Sequence, residues 1–117
     1  MSRRPSAAAL KTSAQVFAAL GDGTRLSLVN RLTGGAPQSI TQLTAGTRLT
    51  RQAVTKHLRV LEGAGVVRSL RVGRESQFEL ELKRLAEVRA YLDRVSRQWD
   101  DALSRLAAHV EFEPATD

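Results

Sequence analysis

Side chains able to contact a nucleic acid are concentrated between Arg48 and Arg74. This stretch contains seven basic residues and one acidic residue, Glu62. Cations grouped in this way form the surface expected to contact a phosphate backbone. A solvated basic face without a partner is the alternative, and we favour nucleic acid because the charge coincides with the elements predicted below.

A predicted helix from Arg51 to Gly63 carries most of these side chains. Thr50 supplies an N-cap hydroxyl, and Val54, Leu58 and Leu61 recur at helical spacing as one apolar stripe. The opposite face is polar and positively charged through its first two turns. These properties are typical of a helix that reads DNA.

We assign two kinds of DNA contact to this helix. Gln52 and Thr55 are predicted to meet base edges, with ordinary solvated polarity as the alternative. Long cations usually hold phosphates, and Thr50 could add a phosphate contact to its capping role. His57 lies beside the apolar stripe, so a packed histidine and a DNA contact both stay open. The predicted phosphate contacts of the helix are Arg51, Lys56 and Arg59.

The neighbouring elements complete a winged helix-turn-helix. A short helix is predicted from Ser39 to Thr47 with Ser39 as its cap, and a brief turn that includes Arg48 separates it from the next helix. After that helix, two β-rich runs are joined by the turn Val72–Glu75. A hairpin in this position is a wing. Arg71 and Arg74 are predicted to bind a minor groove or flanking phosphates, with a solvated turn as the alternative.

The predicted DNA-binding residues therefore come from the turn, the helix and the wing. They are Arg48, Thr50, Arg51, Gln52, Thr55, Lys56, His57, Arg59, Arg71 and Arg74. Because these residue types supply donors and positive charge, they fit double-stranded DNA as the partner.

The C-terminal third of the chain predicts one long helix, residues 82–110, with a continuous apolar seam. At 1.5 Å per residue it forms a rod of about 43 Å, longer than so small a domain can cover. Part of the seam should therefore meet a second copy of the chain, and a helix packed entirely on its own core is the alternative. For Trp99, lining an effector pocket is a further alternative. The predicted dimer interface, shared with the first helix, is Val16, Phe17, Leu92, Val95, Trp99, Leu103, Leu106 and Val110.

Two helices are predicted ahead of the helix-turn-helix. The first spans Ala7–Leu20 and is too short to be stable unless it packs on a partner. Asp22 caps the second, Thr24–Leu32. The apolar residues of the second helix are expected to face the core, and Arg25 and Arg31 to point away from it.

Length and composition limit the class of protein. The 117 residues predict one domain, residues 7–112, between a disordered basic arm at 1–6 and a disordered tail at 113–117. The chain has no cysteine, which excludes disulfides and thiolate metal sites. No apolar run approaches the roughly 20 residues of a membrane helix, and the N-terminus lacks the apolar core of a signal peptide. A cytoplasmic protein without a membrane partner is therefore expected.

The net charge of +6 is unevenly distributed. Residues 1–78 hold 12 basic and 3 acidic residues, whereas residues 79–117 hold 6 basic and 9 acidic residues. The two parts should therefore face different partners.

Three segments resemble the ArsR family of bacterial winged-helix transcriptional repressors. They are Phe17–Leu26 (FAALGDGTRL), Leu49–Val67 (LTRQAVTKHLRVLEGAGVV) and Gly73–Glu75, and the resemblance covers about residues 14–110. It implies a dimer that binds a palindromic operator near its own gene and releases it when an effector arrives. Gly23 stands where the family commonly has proline, which implies a looser helix start.

The metal sites of the family's best-known members are not matched. Their thiolate site needs cysteines on the first helix of the helix-turn-helix, and Ile40–Thr44 has none. Their other site pairs Asp-x-His with His-x-x-Glu on the last helix, but His109 is followed three residues on by Phe112. Neither Asp93 nor Asp101 has a histidine two residues on. We therefore expect no metal and no cofactor.

These observations predict a mainly α fold with a small β-hairpin (α+β), a winged helix-turn-helix dimerised through its last and first helices. The expected function is a sequence-specific DNA-binding regulator, a dimeric repressor of its own or neighbouring genes with an unidentified effector. The alternatives are a nonspecific architectural DNA-binding protein and a winged-helix module that binds protein. An enzyme is not expected, because the sequence has no cysteine, no histidine–acid motif and no glycine-rich phosphate loop before a helix.

Overall fold

The computed structural model describes residues 6–112. The predicted tail, residues 113–117, and the predicted basic arm lie outside this range, except for Ser6. The Ser6 Oγ accepts a hydrogen bond from Ala9 N at 3.0 Å and caps the first helix. The assignment of Ser6 to a disordered arm is therefore wrong, because its hydroxyl satisfies a backbone N–H that the helix leaves without a partner.

Five helices and three short strands make up the described residues. In chain order they are α1 (Ala7–Leu20), α2 (Gly23–Leu32), β1 (Gln38–Ser39), α3 (Ile40–Thr44), α4 (Arg51–Gly63), β2 (Val67–Val72), β3 (Glu75–Leu80) and α5 (Leu82–Phe112). The strands form an antiparallel sheet in the order β1-β3-β2. The predicted fold class, a mainly helical winged helix-turn-helix, is confirmed; the two-residue strand β1 was not predicted.

The helix-turn-helix has well-defined caps. Ser39 and Gln42 form a reciprocal capping box at the start of α3, with bonds of 3.1 and 2.8 Å. The helix ends at Thr44, earlier than predicted, because Ala45 adopts an extended conformation and Gly46 follows with φ +77°. The turn then leads to Thr50, whose side chain caps α4.

One hydrophobic core lies beneath the helices and the sheet. Its fully buried members include Leu28, Leu43, Leu58 and Phe78, which come from four different elements. Val16 of α1 is also fully buried in this core. Its predicted place in a dimer interface is therefore wrong, because the chain's own side chains already cover it.

Arg25 and Arg31 of α2 turn towards the protein, contrary to the prediction. Arg31 donates to the backbone carbonyls of Gln42, Leu43 and Ala45 at 2.8, 2.7 and 3.1 Å. Arg25 Nε and Nη2 donate to the carbonyls of Ala19 and Ala18. Both guanidinium groups therefore donate to carbonyls at the C-terminal ends of helices, where intrahelical donors run out.

Only the beginning of α5 belongs to the core. Val88 is buried and Leu85 packs against the core cluster. From Leu92 onward the apolar side chains of the helix are largely exposed. Among the described residues, no helix combines the length and the apolar character needed to cross a membrane.

Candidate nucleic-acid interface

The core stripe of α4 determines which of its side chains face outward. Val54 and Leu58 are fully buried, which fixes the rotation of the helix about its axis. Gln52 and Lys56 lie on the opposite side and are exposed, and Arg51 is exposed beside them because it stands in the first turn, beyond the end of the stripe. The structure thus presents these three predicted DNA contacts together, within the first two turns of the helix.

The two threonines of α4 have different hydrogen-bonding capacity. The Thr50 Oγ1 accepts from Ala53 N at 3.0 Å, so its own O–H proton can still be donated to another group. The half-buried Thr55 donates its hydroxyl proton to the carbonyl of Arg51 at 2.7 Å. Thr55 therefore presents its methyl group and an acceptor oxygen, and a donated bond to phosphate would require breaking that contact.

Two predicted DNA contacts on α4 are engaged with the protein instead. The half-buried His57 places its Nδ1 3.3 Å from Arg25 Nη1, which favours the packed alternative for this histidine. Arg59 Nη1 donates to Glu62 Oε1 at 2.8 Å, and its guanidinium carbon lies 5.9 Å from the centre of the Phe78 ring. His57 is therefore held against the protein, whereas Arg59 stays exposed two turns after Gln52 with one of its donors bound to Glu62.

The wing tip approaches the N-terminus of α4. Arg74 and Ser76 line a surface cleft whose other side is formed by Arg51 and Thr41. The Thr41 hydroxyl accepts a hydrogen bond from Arg51 Nη1. Sequence reasoning did not select Thr41 or Ser76, since a single hydroxyl in a polar stretch gives no signal until the fold brings it beside a cation.

The other basic residues of the wing differ in availability. The exposed Arg71 pairs with Ser76 across the hairpin, so it projects from the same sheet face as Ser69 and Phe78, two rungs nearer the tip. Arg68 projects from the other face and forms a salt bridge to Glu79 at 2.5 Å. The hydrogen bond to that carboxylate raises the pKa of Arg68 above its ordinary value.

Arg48 lies in the turn of the helix-turn-helix and is exposed. It lies four residues after the end of α3 and two residues before Thr50, the cap of α4. A cation at this place lies beside the N-terminal end of the outward face and extends its positive charge.

A row of exposed apolar side chains runs along α5, and we call it the apolar ridge. It comprises Leu92, Trp99, Leu103, Leu106 and Val110, whose exposed fractions range from 42% to 61%. The half-buried Val95 lies between Leu92 and Trp99. The alternative in which α5 is wrapped entirely on its own core is wrong, because this chain leaves the ridge uncovered.

At the base of the ridge, α1 contributes the ring of Phe17. Its centre lies 6.1 Å from the centre of the Tyr91 ring, with the planes tilted by 52°. Phe17 is itself partly exposed. Unlike its neighbour Val16, it is therefore available to extend the ridge.

No group of three or more histidine, cysteine, aspartate or glutamate side chains that could hold a metal ion occurs in residues 6–112.

The carboxylate of Glu62, in the last turn of α4, is bonded to other side chains of the protein. Glu62 accepts hydrogen bonds from Arg59 and Ser69, which lower its pKa below the ordinary value.

Comparison with known proteins agrees with this geometry. A family model described as a helix-turn-helix domain matches residues 20–69. The HTH-type transcriptional regulator Rv2034 of Mycobacterium tuberculosis is 34% identical over 99 residues, which cover 85% of this chain and 89% of that protein.

Solved structures give the same result. An ArsR-like transcriptional regulator from Rhodococcus sp. RHA1 matches with a TM-score of 0.71 and 35% identity, covering 93% of this chain and 99% of the other. A second structure, of an ArsR family transcriptional regulator, matches with a TM-score of 0.69 and 26% identity over 86% of this chain and 97% of the other. The outward face of α4, the wing and these relatives together show that the chain belongs to the ArsR family of winged helix-turn-helix transcriptional regulators.

Proposed function

We propose that this regulator is a dimeric repressor that binds an inverted-repeat operator beside its own or neighbouring genes. Regulators of this family are not enzymes, and their fold is a DNA-binding one. The observation that carries the proposal is the outward face of α4, where Arg51, Gln52 and Lys56 are exposed together beside Arg74 of the wing. Because its partner is chromosomal DNA, we also propose a cytoplasmic location.

In the proposed complex, the N-terminal half of α4 enters the major groove. Gln52 reads a base edge there, since a glutamine amide can both donate to and accept from adenine. Arg51 and Lys56 hold phosphates, as does Arg48 from the preceding turn. Thr50 donates its remaining hydroxyl proton to a phosphate, and Thr55 offers its methyl group to a thymine.

The wing binds the DNA that flanks the major-groove site. Arg74 lies closest to α4, and Arg71 follows it along the hairpin. Both are exposed, so each can reach a phosphate or enter a narrow minor groove. His57 is left out of this set because its half-buried ring lies against Arg25, whereas the exposed Arg59 has one donor bound to Glu62 and keeps others that can reach a phosphate.

The apolar ridge supports a homodimer. An exposed row of this length on a single helix is unusual for a soluble monomer, and a second copy related by a two-fold axis would cover it. The proposed interface is Phe17, Leu92, Val95, Trp99, Leu103, Leu106 and Val110. Two copies of α4 held in this way would contact half-sites about 34 Å apart, one turn of DNA. We further propose, from family membership alone, that an effector controls release.

Selection of binding sites from a random DNA pool, followed by footprinting, tests the proposal. We expect an inverted repeat with two protected half-sites one helical turn apart. Uniform protection of unrelated DNA would favour the nonspecific architectural protein instead.

A gel shift with matched variants separates DNA from a protein partner. We expect Arg51→Ala combined with Lys56→Ala to abolish the shift, because both cations lie on the outward face of α4. The control is Arg89→Ala combined with Arg97→Ala, which removes the same charge from exposed positions of α5. If the wild type shifted no duplex at all, the winged-helix module with a protein partner would be the better account, and a shift unchanged in both variants would place the DNA contact away from α4.

A further inference from the structure

Glu62 connects the recognition helix to the wing. Its Oε1 accepts a hydrogen bond from Arg59 Nη1 of α4 at 2.8 Å, and its Oε2 accepts one from Ser69 Oγ of β2 at 2.8 Å. The two oxygens of one carboxylate thus bind side chains from two different elements. Arg59 extends the connection to β3, where its guanidinium lies over the ring of the buried Phe78.

Both contacts reach the same rung of the hairpin. Ser69 on β2 pairs directly with Phe78 on β3. Three further rungs, ending at Val72 and Glu75, lie between this rung and the turn. At about 3.3 Å per residue the tip extends roughly 10 Å beyond it, so a 10° tilt of the hairpin would move Val72 by about 2 Å. A change of that size is enough to misplace Arg74 relative to a phosphate.

Electrostatics alone gives no reason for an acidic residue here. Glu62 is the one acidic residue between Arg48 and Arg74, and a negative charge weakens the attraction of this surface for DNA. Its hydrogen bonds from Arg59 and Ser69 lower its pKa, so the charge is present at neutral pH. The same bonds use a donor of Arg59 that would otherwise be available to phosphate.

We propose that Glu62, with Arg59 and Ser69, is a positioning device that sets the angle of the wing relative to α4 and thereby favours specific over nonspecific DNA. Arg59 acts here within the protein, as the link between Glu62 and Phe78. The proposal rests on the DNA-binding function proposed above and adds a specificity role for residues that do not themselves read bases.

Two substitutions of Glu62 separate charge from position. Glu62→Gln and Glu62→Ala remove the same negative charge, but only the glutamine keeps an oxygen that can accept from Arg59 and an amide that can pair with Ser69. Ser69→Ala removes the hydrogen bond between β2 and Glu62 without any change in charge. Glu79→Gln is the control, because it removes a carboxylate that binds Arg68 within the hairpin and does not reach α4. Thermal melting verifies that each variant is folded.

The first measurement compares the dissociation constants for the selected operator and for a scrambled duplex of the same composition. Both Glu62 variants should bind the scrambled duplex more tightly, since each removes a negative charge. We expect the operator-to-scrambled affinity ratio to fall by about fivefold or more in Glu62→Ala and Ser69→Ala, and to fall less in Glu62→Gln. An equal gain on both duplexes in the two Glu62 variants, with Ser69→Ala unchanged, would mean that Glu62 acts through charge alone and would overturn the proposal.

The second measurement needs no operator. Residual dipolar couplings of backbone N–H groups report the orientation of residues 70–77 relative to α4 in the free protein. We expect this orientation to change or become averaged in Glu62→Ala and Ser69→Ala, and to stay as in the wild type in Glu62→Gln and Glu79→Gln. An unchanged orientation in all four variants would overturn the proposal even if an operator were found. If no operator could be selected but the wing orientation changed as expected, the proposed function would be contradicted. The role of Glu62 in setting the wing angle would still stand.

Discussion

At the scale of single residues, Gln52 and Lys56 lie one turn apart on the outward face of α4 but differ in what they can recognise. A primary amide distinguishes one base edge from another, whereas an ammonium group binds any phosphate. We expect Gln52→Ala to relax the base preference at one position of each half-site and to cost about 1–3 kcal/mol on the preferred sequence. Selection from a random pool with the variant measures this directly. An unchanged base preference would show that Gln52 does not read a base.

Lys56→Ala should act on all DNA alike. Because Lys56 is proposed to contact phosphate, we expect similar losses on the operator and on random DNA, and a salt dependence that is shallower by about one unit of log–log slope. Affinity measured across a series of salt concentrations tests this. A loss confined to the operator would instead show that Lys56 contacts a base.

The sequence predicted the outward face of α4, but it did not predict the direction in which the two arginines of α2 point. The apolar stripe predicted which face of α4 is outward, and Gln52 and Lys56 lie on it, with Arg51 exposed in the first turn. Arg25 and Arg31 look equally solvated in the sequence. They turn inward because the C-terminal ends of α1 and α3 present backbone carbonyls to them, and these ends come within reach only once the chain has folded.

At the scale of secondary-structure elements, the cap of α2 makes folding sensitive to acid. Asp22 Oδ1 accepts from Arg25 N at 3.0 Å, and this bond lowers the pKa of Asp22 below its ordinary value of 3.8. A carboxyl group with a lowered pKa stabilises the folded state above its unfolded-state pKa, and this stabilisation is lost as the pH falls through the folded-state pKa. We therefore expect stability, measured by urea unfolding, to decline as the pH falls below 3.8.

Asp22→Asn is the matched variant for this test. Asparagine caps helices about as well as aspartate but does not titrate. The variant should equal the wild type near neutral pH and lose less stability in acid. Glu62, whose pKa is also lowered, retains its own share of the acid dependence. Identical acid profiles for the two proteins would show that the cap of α2 does not contribute.

Strong local signals predicted the elements, and weak ones were missed. The start of α4 follows its predicted cap Thr50, because a hydroxyl ahead of an apolar stripe is a local pattern, whereas Ser6, the cap of α1, was missed. Strand β1 has only two residues and exists because Gln38 and Ser39 pair with β3, far along the chain. No periodicity can reveal so short a strand.

At the scale of the whole molecule, the apolar ridge determines the expected state of association. Trp99, near the middle of the ridge, is 61% exposed. A charged residue at this position would be buried without a partner in a dimer. We expect Trp99→Glu to sediment as a monomer. The control is Gln98→Glu, which introduces the same charge at the adjacent exposed position, off the ridge. If Trp99→Glu sedimented as an intact dimer, the interface would lie elsewhere.

The sequence predicted the apolar seam on α5. It could not show which part of the seam is buried in the chain's own core and which part stays exposed. Val88 is buried within the chain, whereas Leu92, one turn later, is 42% exposed. Val16 and Phe17 show the same division on α1. Side-chain type is the same on both sides of this boundary, and only the extent of the folded core determines where it lies.

The buried core described above, from Val16 to Val88, is completed by a single chain. If the proposed dimer forms from chains that fold first, association is a separate equilibrium that follows mass action. If an operator requires both copies of α4, the occupied fraction of the operator rises with the square of the protein concentration as long as single chains predominate. A gene repressed by its own product in this way would respond to accumulating protein with a threshold instead of a gradual decline.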